Sequence, residues 1–505
     1  MAHVLAIQNS HNASVCEIKD NRVIYFQEAE RLNKVKKSPN WSALLHKYSG
    51  YNFDEIIFVH SSSEDKQNPE QVFKDFSIKY TKFNYVTGHH FYHACCAFYN
   101  SGFKESYVLV ADCNGGYFNY DNLESELISL YYFKGQRFKK VFQVYASEDE
   151  YIKGKDIFIN TFSLGNFYTY VRDVLGMQEE GSVMGLSSYT DETYPINLFT
   201  TKFNHFKSVQ QSIFKILEQK PKLDDAILCN TIQTELENII SKYVLNLKNK
   251  NLCVSGGVFQ NTVLNSKLLD ISPNLYVDPF CDDAGISMGA ALFHTKTKNK
   301  LNDLYLGDFP NYTILPNRGE QIKHKDVAKL ISNKNIVAIY QGRNELGRRA
   351  LGNRSFLYDP RDSFAKEKLN VLKNREWFRP AAGTMLHEHR HDWFDLKSKN
   401  ESSFMSYVFQ VKKNNIPGIT HVDNSCRIQT LKKEQNYHFY KLIEEFYNIT
   451  GVPILANTSF NLSGFPLVNS VDDAIEVLMH EKNKSFDFIY FPELSKIFSK
   501  QDFYD

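Results

Sequence analysis

The stretch YVLVAD, residues 107–112, is a short apolar run that ends on an acidic residue. Three other runs have the same form and also end on polar or small residues: HVLAIQ (3–8), EIIFVH (55–60) and LCVSGG (252–257). Each run predicts a buried strand with its functional residues at the carboxyl end, as in open α/β sheets. Two intervening segments, 93–103 and 231–248, repeat apolar residues every three or four positions and predict helices. The chain is therefore predicted to be an α/β protein.

Length and charge limit the possible classes of protein. The 505 residues are enough for two or three domains. Lys and Arg number 59 and Asp and Glu 58, so the whole chain offers no general attraction to polyanions. No segment approaches the roughly 18–20 apolar residues of a membrane span, and the start lacks the basic flank of a signal peptide. We expect a cytoplasmic protein with no membrane partner, and the sequence makes no prediction of its oligomeric state.

Two histidines and two aspartates form a candidate metal site. In GHHFYHACCAF, residues 88–98, His89 and His93 are four residues apart at the start of a predicted helix, which places both on one face. Asp112 ends a predicted strand, and Asp283 lies in CDDAGISMGAAL, residues 281–292. Such a set suits a divalent metal with positions left open for phosphate oxygens. The alternative is a histidine pair in the core and two aspartates that cap helices or turns.

Glycine clusters occur in three places and suggest a nucleotide cleft. They are CNGGYF with Gly115 and Gly116, EEGSVMGL with Gly181, and VSGGVFQN with Gly256 and Gly257. Glycine leaves room for backbone N–H groups to face an anion. None of the clusters matches a P-loop or G-x-G-x-x-G, so the sequence indicates neither a Walker-type NTPase nor a Rossmann dehydrogenase. Alternatively, each is only a tight turn.

Basic residues are concentrated in the second half of the chain. The stretches GRNELGRRALGNRSFLYDPR (342–361) and LNVLKNREWFRPAAG (369–383) carry eight cations among glycines and aromatics: Arg343, Arg348, Arg349, Arg354, Arg361, Lys373, Arg375 and Arg379. Arginine binds phosphate or carboxylate in a bidentate manner, so a compact phosphorylated substrate is expected. The alternative is a basic surface patch for a polyanion.

Ten motifs in order resemble one family, the O-carbamoyltransferases of the NodU and antibiotic-carbamoylating type. The motifs span nearly the whole chain: SHNAS, AERLNKVK, HHFYHA, EEGSVMGL, SGGVFQN, DDAGISMGAAL, GRRALGNRS, FRPAAG, HVDNSCRIQ and TGVPILANTSFN. The resemblance implies an N-terminal ASKHA (actin-like ATPase) fold domain followed by a C-terminal YrdC-like α/β domain. A polar, proline-containing stretch at about 296–320 separates them, and the predicted domains are residues 1–312 and 313–505.

The same resemblance implies the chemistry and the residues. The YrdC-like domain would bind carbamoyl phosphate and free carbamate, which ATP converts to carbamoyladenylate; the ASKHA domain would pass the carbamoyl group to a hydroxyl. His11 would be the general base and Lys36 would meet the nucleotide phosphates. A divalent metal, Fe²⁺ or Mn²⁺ with Mg²⁺ as the alternative, would be held by His89, His93, Asp112 and Asp283. Nucleotide would lie against Gly256, Gly257 and Asn261, and carbamoyl phosphate against Arg343, Arg349, Arg354, Lys373, Arg379 and Asn457.

The chain departs from the family pattern at two positions. Asn12 replaces the usual Asp after the motif histidine, which puts a proton relay there in doubt. Ser182 replaces the usual Lys of EGKVMGL, which removes one phosphate contact.

The acceptor is left open between two classes. Richness in Asn, Lys, Phe and Tyr is typical of AT-rich genomes and allows a viral source, with the host cytoplasm as location; the hydroxymethyl group of 5-hydroxymethylcytosine in DNA then becomes a candidate acceptor. Stacking on a base would use aromatics such as Tyr117, Phe118, Tyr120, Tyr131 and Tyr132, although such aromatics more often lie in the core. The other class is a hydroxyl of a sugar or natural product.

Three other functions compete with carbamoyl transfer. They are a tRNA threonylcarbamoyladenosine-type enzyme, a non-catalytic ATP-binding ASKHA scaffold, and a metalloprotease suggested only by the paired histidines. The missing Glu of H-E-x-x-H argues against the last of these.

Overall fold

The computed structural model of the chain describes residues 2–61, 67–113, 117–119, 124–146, 163–194, 224–480 and 485–504. Internal contacts divide the chain into two compact units. The first comprises Met1–Arg22 and Leu45–Lys300, and the second comprises Val23–Leu44 and Leu301–Asp505. The predicted functional boundary at residues 312 and 313 stays a prediction. By contacts the chain divides after Lys300, and a segment from near its start belongs to the second unit.

Strands and helices alternate along the described residues. The strands are β1 His3–Gln8, β2 Ser14–Lys19, β3 Arg22–Glu28, β4 Asn52–Val59, β5 Lys79–Val86, β6 Glu105–Ala111, β7 Tyr117–Asn119, β8 Glu124–Lys134, β9 Arg137–Ala146, β10 Leu252–Ser255, β11 Leu275–Val277, β12 Glu320–Gln321, β13 Val337–Tyr340, β14 Arg354–Tyr358, β15 Ala382–Leu386, β16 Phe394–Asp395, β17 Val408–Val411, β18 Ser425–Leu431, β19 Ile454–Ser459, β20 Phe488–Phe491 and β21 Lys496–Ser499. The α-helices are α1 Ala29–Asn33, α2 Pro69–Asp75, α3 His89–Ser101, α4 Leu164–Val174, α5 Glu180–Ser187, α6 Asp225–Val244, α7 Thr262–Ile271, α8 Gly285–Thr295, α9 His324–Ser332, α10 Ala365–Leu372, α11 Arg390–Trp393, α12 Tyr437–Thr450 and α13 Val471–Met479. The predicted α/β class is confirmed.

The first unit contains two sheets with the same strand pattern. In one, β1 is antiparallel to β2 and parallel to β4, which is parallel to β5. In the other, β6 is antiparallel to β8 and parallel to β10, which is parallel to β11. The carboxyl ends of parallel strands lie at one edge of a sheet, where open α/β sheets carry their sites. This repeated pattern, which the sequence did not reveal, supports the predicted actin-like fold of the unit.

Close helix packing in the first unit brings two functional segments together. Helix α8 packs against α3. A side chain at Gly289 of α8 would collide with the carbonyl of Tyr92 in α3, so only glycine permits this approach. Because Asp283 lies just before α8 and His89 begins α3, the contact carries the aspartate towards the histidines.

The second unit is built on one mixed sheet with the strand order β12-β21-β20-β13-β14-β19-β15-β18-β17-β16. The central strand β13 (VAIY) is buried along its whole length. The large aromatic side chains of the central strands, including Tyr340, Phe356 and Tyr490, are also buried. Helix α12 begins after Asn436, whose side chain accepts a hydrogen bond from the N–H of Phe439. Among the described residues, no helix has both the length and the apolar character needed to cross a membrane.

A pair of stacked histidines in the second unit predicts acid sensitivity. His324 of α9 and His438 of α12 have ring centroids 5.4 Å apart, and a ring nitrogen of each lies 3.2 Å from the other. Burial, with the charges of His438 and Lys441, lowers the pKa of His324 to about 4. A folded-state pKa below the unfolded value of about 6.5 means that protonation favours unfolding. The neutral His324 therefore contributes to the free energy of unfolding above about pH 6.5, and this contribution is lost as the pH falls towards 4.

The His324→Gln variant is therefore expected to lose less thermal stability on acidification than the wild type. The measurement is Tm at about pH 7 and pH 5, within the range where histidine titrates. The exposed His391 supplies the control His391→Gln, which should follow the wild type. Equal losses in Tm for all three proteins would show that the stacked pair does not contribute.

Candidate active site

Four buried side chains meet beyond the ends of β5 and β6. His89 and His93 lie one turn apart on α3, Asp112 directly follows β6, and Asp283 lies two residues before α8. One ligand atom from each lies within 4.8 Å of those from the others. The structure thus brings together all four residues that the sequence suggested as metal ligands.

The spacing of these atoms fits a single metal ion. His89 Nε2 lies 3.4 Å from Asp283 Oδ1 and 3.7 Å from Asp112 Oδ2; the corresponding distances from His93 Nε2 are 3.6 and 3.5 Å. Nitrogen and oxygen ligands lie about 2.0–2.2 Å from such a metal, which separates two ligands of a tetrahedral ion by about 3.4 Å. The four residues already have the spacing of a coordination shell.

The buried polar atoms of the cluster also favour a cation. Nε2 of His89, Nε2 of His93 and Oδ2 of Asp112 make no hydrogen bond within the described part of the chain. Burial alone would lower the pKa of His89, but the carboxylates of Asp283 and Asp112 outweigh it and raise that pKa to about 10. Buried polar atoms without partners are rare in folded proteins, and a bound ion would satisfy these. A divalent metal fits the residues present.

A hydroxyl and a carboxylate hold the other side of the His93 ring. Ser255 Oγ lies 3.4 Å from His93 Nδ1 and 3.2 Å from Asp278 Oδ2, and all three residues are fully buried. If Nε2 binds a metal, Nδ1 carries the hydrogen and donates it to Ser255, whose hydroxyl donates to Asp278. This chain of hydrogen bonds would fix the tautomer and the orientation of the ligand.

The Ser255→Ala variant is expected to bind its metal about 10- to 100-fold more weakly, because His93 loses the partner of its Nδ1. Competition with a metal chelator measures the affinity, and His89→Ala gives the reference for a lost ligand. Ser272→Ala is the matched control, since Ser272 is also buried but donates to the carbonyl of Lys250. Unchanged affinity in Ser255→Ala would contradict the role of the hydroxyl.

The remaining histidine of the motif belongs to the core. His90 donates its backbone N–H to Glu126 Oε2 at 2.8 Å, and its Nδ1 lies 2.8 Å from Ser129 Oγ. Burial lowers the pKa of His90 to about 4 in spite of the nearby carboxylate of Glu126. Its Nδ1 is held by Ser129, and His90 is not one of the four residues whose ligand atoms meet at the metal cluster.

His11 lies at the solvent side of the metal cluster. Its Nδ1 is 3.4 Å from Asp283 Oδ2, and 61% of its side chain is exposed. Ser10 donates its hydroxyl to the same Asp283 oxygen at 2.8 Å. Asn12 is buried with a φ of 65°, a left-handed conformation that asparagine adopts more readily than most residues. An imidazole in this position can meet a substrate that arrives from solvent.

The glycine-containing segment after β10 packs directly on the metal cluster. A side chain at Gly256 would collide with the carbonyl of Ala111, and a Cβ at Gly257 would lie 2.8 Å from Asp112 Oδ1. Asn261 caps α7 by accepting from the N–H of Leu264 at 2.9 Å. Gly181 lies in α5 beside the buried Ser182. The predicted residues Gly115 and Gly116 lie outside the described residues.

Three of the cations predicted to hold carbamoyl phosphate are bound to the protein itself. Arg343 donates to the carbonyls of Ile24 and Gly307, at 2.9 and 2.8 Å. The fully buried Arg354 donates to the carbonyls of Gln341, Gly342 and Asn353 and stacks on Tyr340. Lys373 Nζ is surrounded by backbone and side-chain oxygens of Ser459 and Asn461. These three residues therefore support the folded backbone through most of their donors, while Nε of Arg354 is buried without an acceptor among the described residues.

Four other arginines concentrate positive charge in the second unit. Burial lowers the pKa of Arg427 well below its usual value, and the charges of Arg349, Arg375 and Arg379 lower it further. Nε of Arg427 is buried and has no hydrogen-bond partner among the described residues. Arg379 Nη1 also lies 3.7 Å from Glu376 Oε2, and Arg375 Nε donates to Asn370 Oδ1 at 2.7 Å, so the protein meets part of this charge itself. Several guanidinium groups whose charges act on one another suit an anion with several oxygens. We call Arg349, Arg375, Arg379 and Arg427 the arginine cluster.

Strand register places an amide beside this cluster. Ala382 of β15 pairs with Arg427 of β18 on one side and with Asn457 of β19 on the other. Paired residues point to the same face, and the small side chain of Ala382 leaves space between its neighbours. Asn457 Nδ2 donates to Thr384 Oγ1 at 2.9 Å and to the carbonyl of Ala350 at 3.2 Å. The sequence motifs suggested Asn457 and Arg379 but not Arg427, although HVDNSCRIQ contains it.

Lys36 belongs to the second unit with the rest of Val23–Leu44. Its side chain is exposed. Burial would raise the pKa of Glu30, but the charges of Arg31, Arg348 and Lys36 lower it. Lys36 therefore shares its surroundings with an arginine of the GRRALGNRS motif, more than 300 positions along the chain.

Fold and site define an α/β enzyme with a candidate metal site in one unit and a candidate anion site in the other. The family follows from sequence comparison. The profile described as Carbamoyltransferase N-terminus matches residues 70–292, and the one described as Carbamoyltransferase C-terminus matches residues 328–493. Together they cover most of the chain, which belongs to the carbamoyltransferase family. It is a transferase, and the predicted resemblance is confirmed.

Individual relatives agree with the family match. An uncharacterized protein of Methanocaldococcus jannaschii is 32% identical, over 94% of this chain and 96% of its own length. Nodulation protein NolO of Bradyrhizobium diazoefficiens is 30% identical, over 77% of this chain and 76% of its own length. Among solved structures, component A of the (R)-2-hydroxyglutaryl-CoA dehydratase of Acidaminococcus fermentans covers 59% of this chain and 100% of its own, at 10% identity and a TM-score of 0.36. A likeness at that level does not define a shared fold.

Proposed function

We propose that the chain is an ATP-dependent O-carbamoyltransferase that moves a carbamoyl group from carbamoyl phosphate, by way of carbamoyladenylate, to an acceptor hydroxyl. The match to the carbamoyltransferase family carries this proposal, and the arginine cluster of the second unit agrees with it. Four guanidinium groups match the several oxygens of a small phosphorylated donor. The proposal accounts for both candidate sites with one reaction sequence.

In the second unit the arginine cluster would bind the phosphate of carbamoyl phosphate. Asn457 would add an amide oxygen beside Arg427, since its N–H groups are donated to Thr384 and Ala350. Arg343, Arg354 and Lys373 would support the surrounding backbone. Water would cleave carbamoyl phosphate to carbamate and phosphate. A carbamate oxygen would then attack the α-phosphorus of ATP, with pyrophosphate as the leaving group and carbamoyladenylate as the product.

In the first unit the acceptor oxygen would attack the carbamoyl carbon, and the bond from that carbon to the adenylate oxygen would break. His11 would take the proton of the acceptor hydroxyl, and AMP would leave. Gly256 and Gly257 would let the nucleotide approach the backbone beside Asp112. His89, His93, Asp112 and Asp283 would hold a divalent metal, Fe²⁺ or Mn²⁺, which would supply positive charge next to the phosphate of the nucleotide.

The acceptor belongs to one of the two classes that the sequence left open: 5-hydroxymethylcytosine in DNA, or a hydroxyl of a sugar or natural product. Of the five aromatic residues suggested for base stacking, the two whose side chains are described give DNA little support, and Tyr117, Phe118 and Tyr120 lie outside the described side chains. Tyr131 is 4% exposed, and Tyr132 donates its hydroxyl to Glu105 Oε2 at 2.9 Å. A small hydroxyl compound needs no such stacking platform and is the preferred class.

The experiment that tests this proposal supplies the chain with ATP, carbamoyl phosphate and Mn²⁺ or Fe²⁺. Separate reactions contain DNA with 5-hydroxymethylcytosine or a panel of sugars, and mass spectrometry of the products looks for the added carbamoyl group. A carbamoylated sugar or nucleoside would support the proposal and identify the acceptor class. Pyrophosphate release that requires threonine and bicarbonate, and not carbamoyl phosphate, would replace it with a tRNA threonylcarbamoyladenosine-type activity.

A further inference from the structure

The loop that carries two of the arginines of GRRALGNRS is held by side chains from the start of the chain. We call residues 346–353 the arginine loop. Glu28 Oε1 accepts a hydrogen bond from the N–H of Gly347 at 2.9 Å, and Arg31 Nη2 donates to the carbonyl of the same residue at 3.1 Å. Both peptide groups of Gly347 are therefore bound by residues that lie more than 300 positions away in sequence.

The far end of the loop is held by a second carboxylate. Glu345 Oε1 accepts hydrogen bonds from the N–H groups of Leu351, Asn353 and Arg354, at 3.0, 3.2 and 3.0 Å. Glu345 is fully buried and Glu28 is 1% exposed. A carboxylate that accepts from backbone N–H groups makes strong, charge-assisted bonds, which offset the cost of its burial.

The position of these bonds bears on the arginine cluster. Arg349 lies between the two anchored ends, and its charge acts on Arg427 together with those of Arg375 and Arg379. Like charges gathered in a partly buried place repel one another, and a flexible loop would relieve that repulsion by moving outward. Anchors on both sides of Arg349 oppose such movement.

We propose that Glu28 and Glu345 are positioning residues of the carbamoyl phosphate site, which fix the arginine loop so that Arg349 stays within the arginine cluster. Residues 23–44 then complete a binding site whose other residues all lie beyond position 340. This inference rests on the proposed function, since it takes the arginine cluster as the place where carbamoyl phosphate binds. It gives the AERLNKVK motif a role in the second unit, through Glu28 directly before it and Arg31 within it.

The test compares full-length Glu28→Ala with the wild type. We expect the KM for carbamoyl phosphate, and the Kd for its stable analogue phosphonoacetamide, to rise about tenfold or more because Gly347 loses its carboxylate partner. The kcat should change little, since Glu28 does not touch the reacting atoms. Hydrogen exchange of peptides covering residues 343–354 should become faster. Glu28→Gln keeps an acceptor oxygen and should recover much of the affinity, and Glu320→Ala, an exposed glutamate of β12, is the matched control.

The possible outcomes distinguish a failure of the positioning role from a failure of the proposed function. A wild type that binds neither carbamoyl phosphate nor the analogue would overturn the proposed function, and the positioning role with it. A wild type that binds the analogue, with Glu28→Ala binding equally well, would overturn the positioning role alone. A fall in kcat and Tm with unchanged KM would also overturn it, because that is the result of a purely structural residue. If Glu28→Ala does not fold, Glu28→Gln decides by the same measurements, with a smaller expected rise in KM.

Discussion

The His11→Ala variant should release pyrophosphate from ATP and carbamoyl phosphate at the wild-type rate, while its carbamoyl transfer falls about a hundred- to ten-thousand-fold. The expected loss of transfer follows from the position of His11. His11 lies beside Asp283 and is 61% exposed, so it can accept a proton from an incoming hydroxyl. It belongs to the first unit, whereas the adenylate is proposed to form in the second. Parallel assays of pyrophosphate and of the carbamoylated product measure the two steps.

Two controls make the His11 result interpretable. His46→Ala removes an exposed histidine of the first unit that contacts Phe76 and is not part of the metal cluster, so it should behave as the wild type. Metal content must be equal in all three proteins, because His11 lies 3.4 Å from an oxygen of Asp283. Full transfer by His11→Ala would remove this residue as the base.

The Arg427→Ala variant should bind phosphonoacetamide about thirtyfold more weakly, because losing one charge-assisted partner from a partly buried set costs about 2 kcal/mol. Arg427 is the member of the arginine cluster whose pKa is lowered by burial and by its three neighbours. Calorimetric titration gives the affinity, and pyrophosphate release at low carbamoyl phosphate should fall in parallel.

Arg361→Ala is the matched control for Arg427. Arg361 belongs to the same basic stretch of sequence, but its Nη2 lies 2.6 Å from Asp359 Oδ2 on the exposed side of the unit. Its removal should leave the affinity unchanged. Equal losses in both variants would mean that general positive charge, and not the arginine cluster, binds the donor.

The sequence predicted the first unit well because its signals are local. The strands that contain YVLVAD and LCVSGG lie where their apolar runs indicated, at β6 and β10. The spacing of His89 and His93 placed them on one face of α3, whereas His90 is held by Ser129 and is not part of the metal cluster. Asp112 and Asp283 joined them because strand ends and helix starts meet at one edge of the sheets.

Roles of individual cations were harder to predict. The sequence shows where the cations lie along the chain but not whether the folded protein offers them hydrogen-bond acceptors. Arg343, Arg354 and Lys373 therefore could not be distinguished from Arg349 and Arg379. Arg427 was missed because it comes from a separate strand and joins the others only through the pairing of β15 with β18. Its burial among like charges becomes visible only after folding.

The division of the chain was also beyond local signals. Residues 23–44 follow a hairpin in the first unit, and nothing in their composition marks them as part of another unit. The contacts that decide it are specific, such as Glu28 with Gly347 and Tyr25 with Asp308 at 2.8 Å. A boundary placed at a single polar stretch cannot describe a chain that crosses between units twice before residue 50.

The most direct test of this account measures pyrophosphate release from ATP with each component omitted in turn. With a divalent metal supplied throughout, we expect pyrophosphate release only when ATP and carbamoyl phosphate are both present, and AMP only after an acceptor is added. Release that is independent of carbamoyl phosphate, or none with Fe²⁺ or Mn²⁺ supplied, would contradict it.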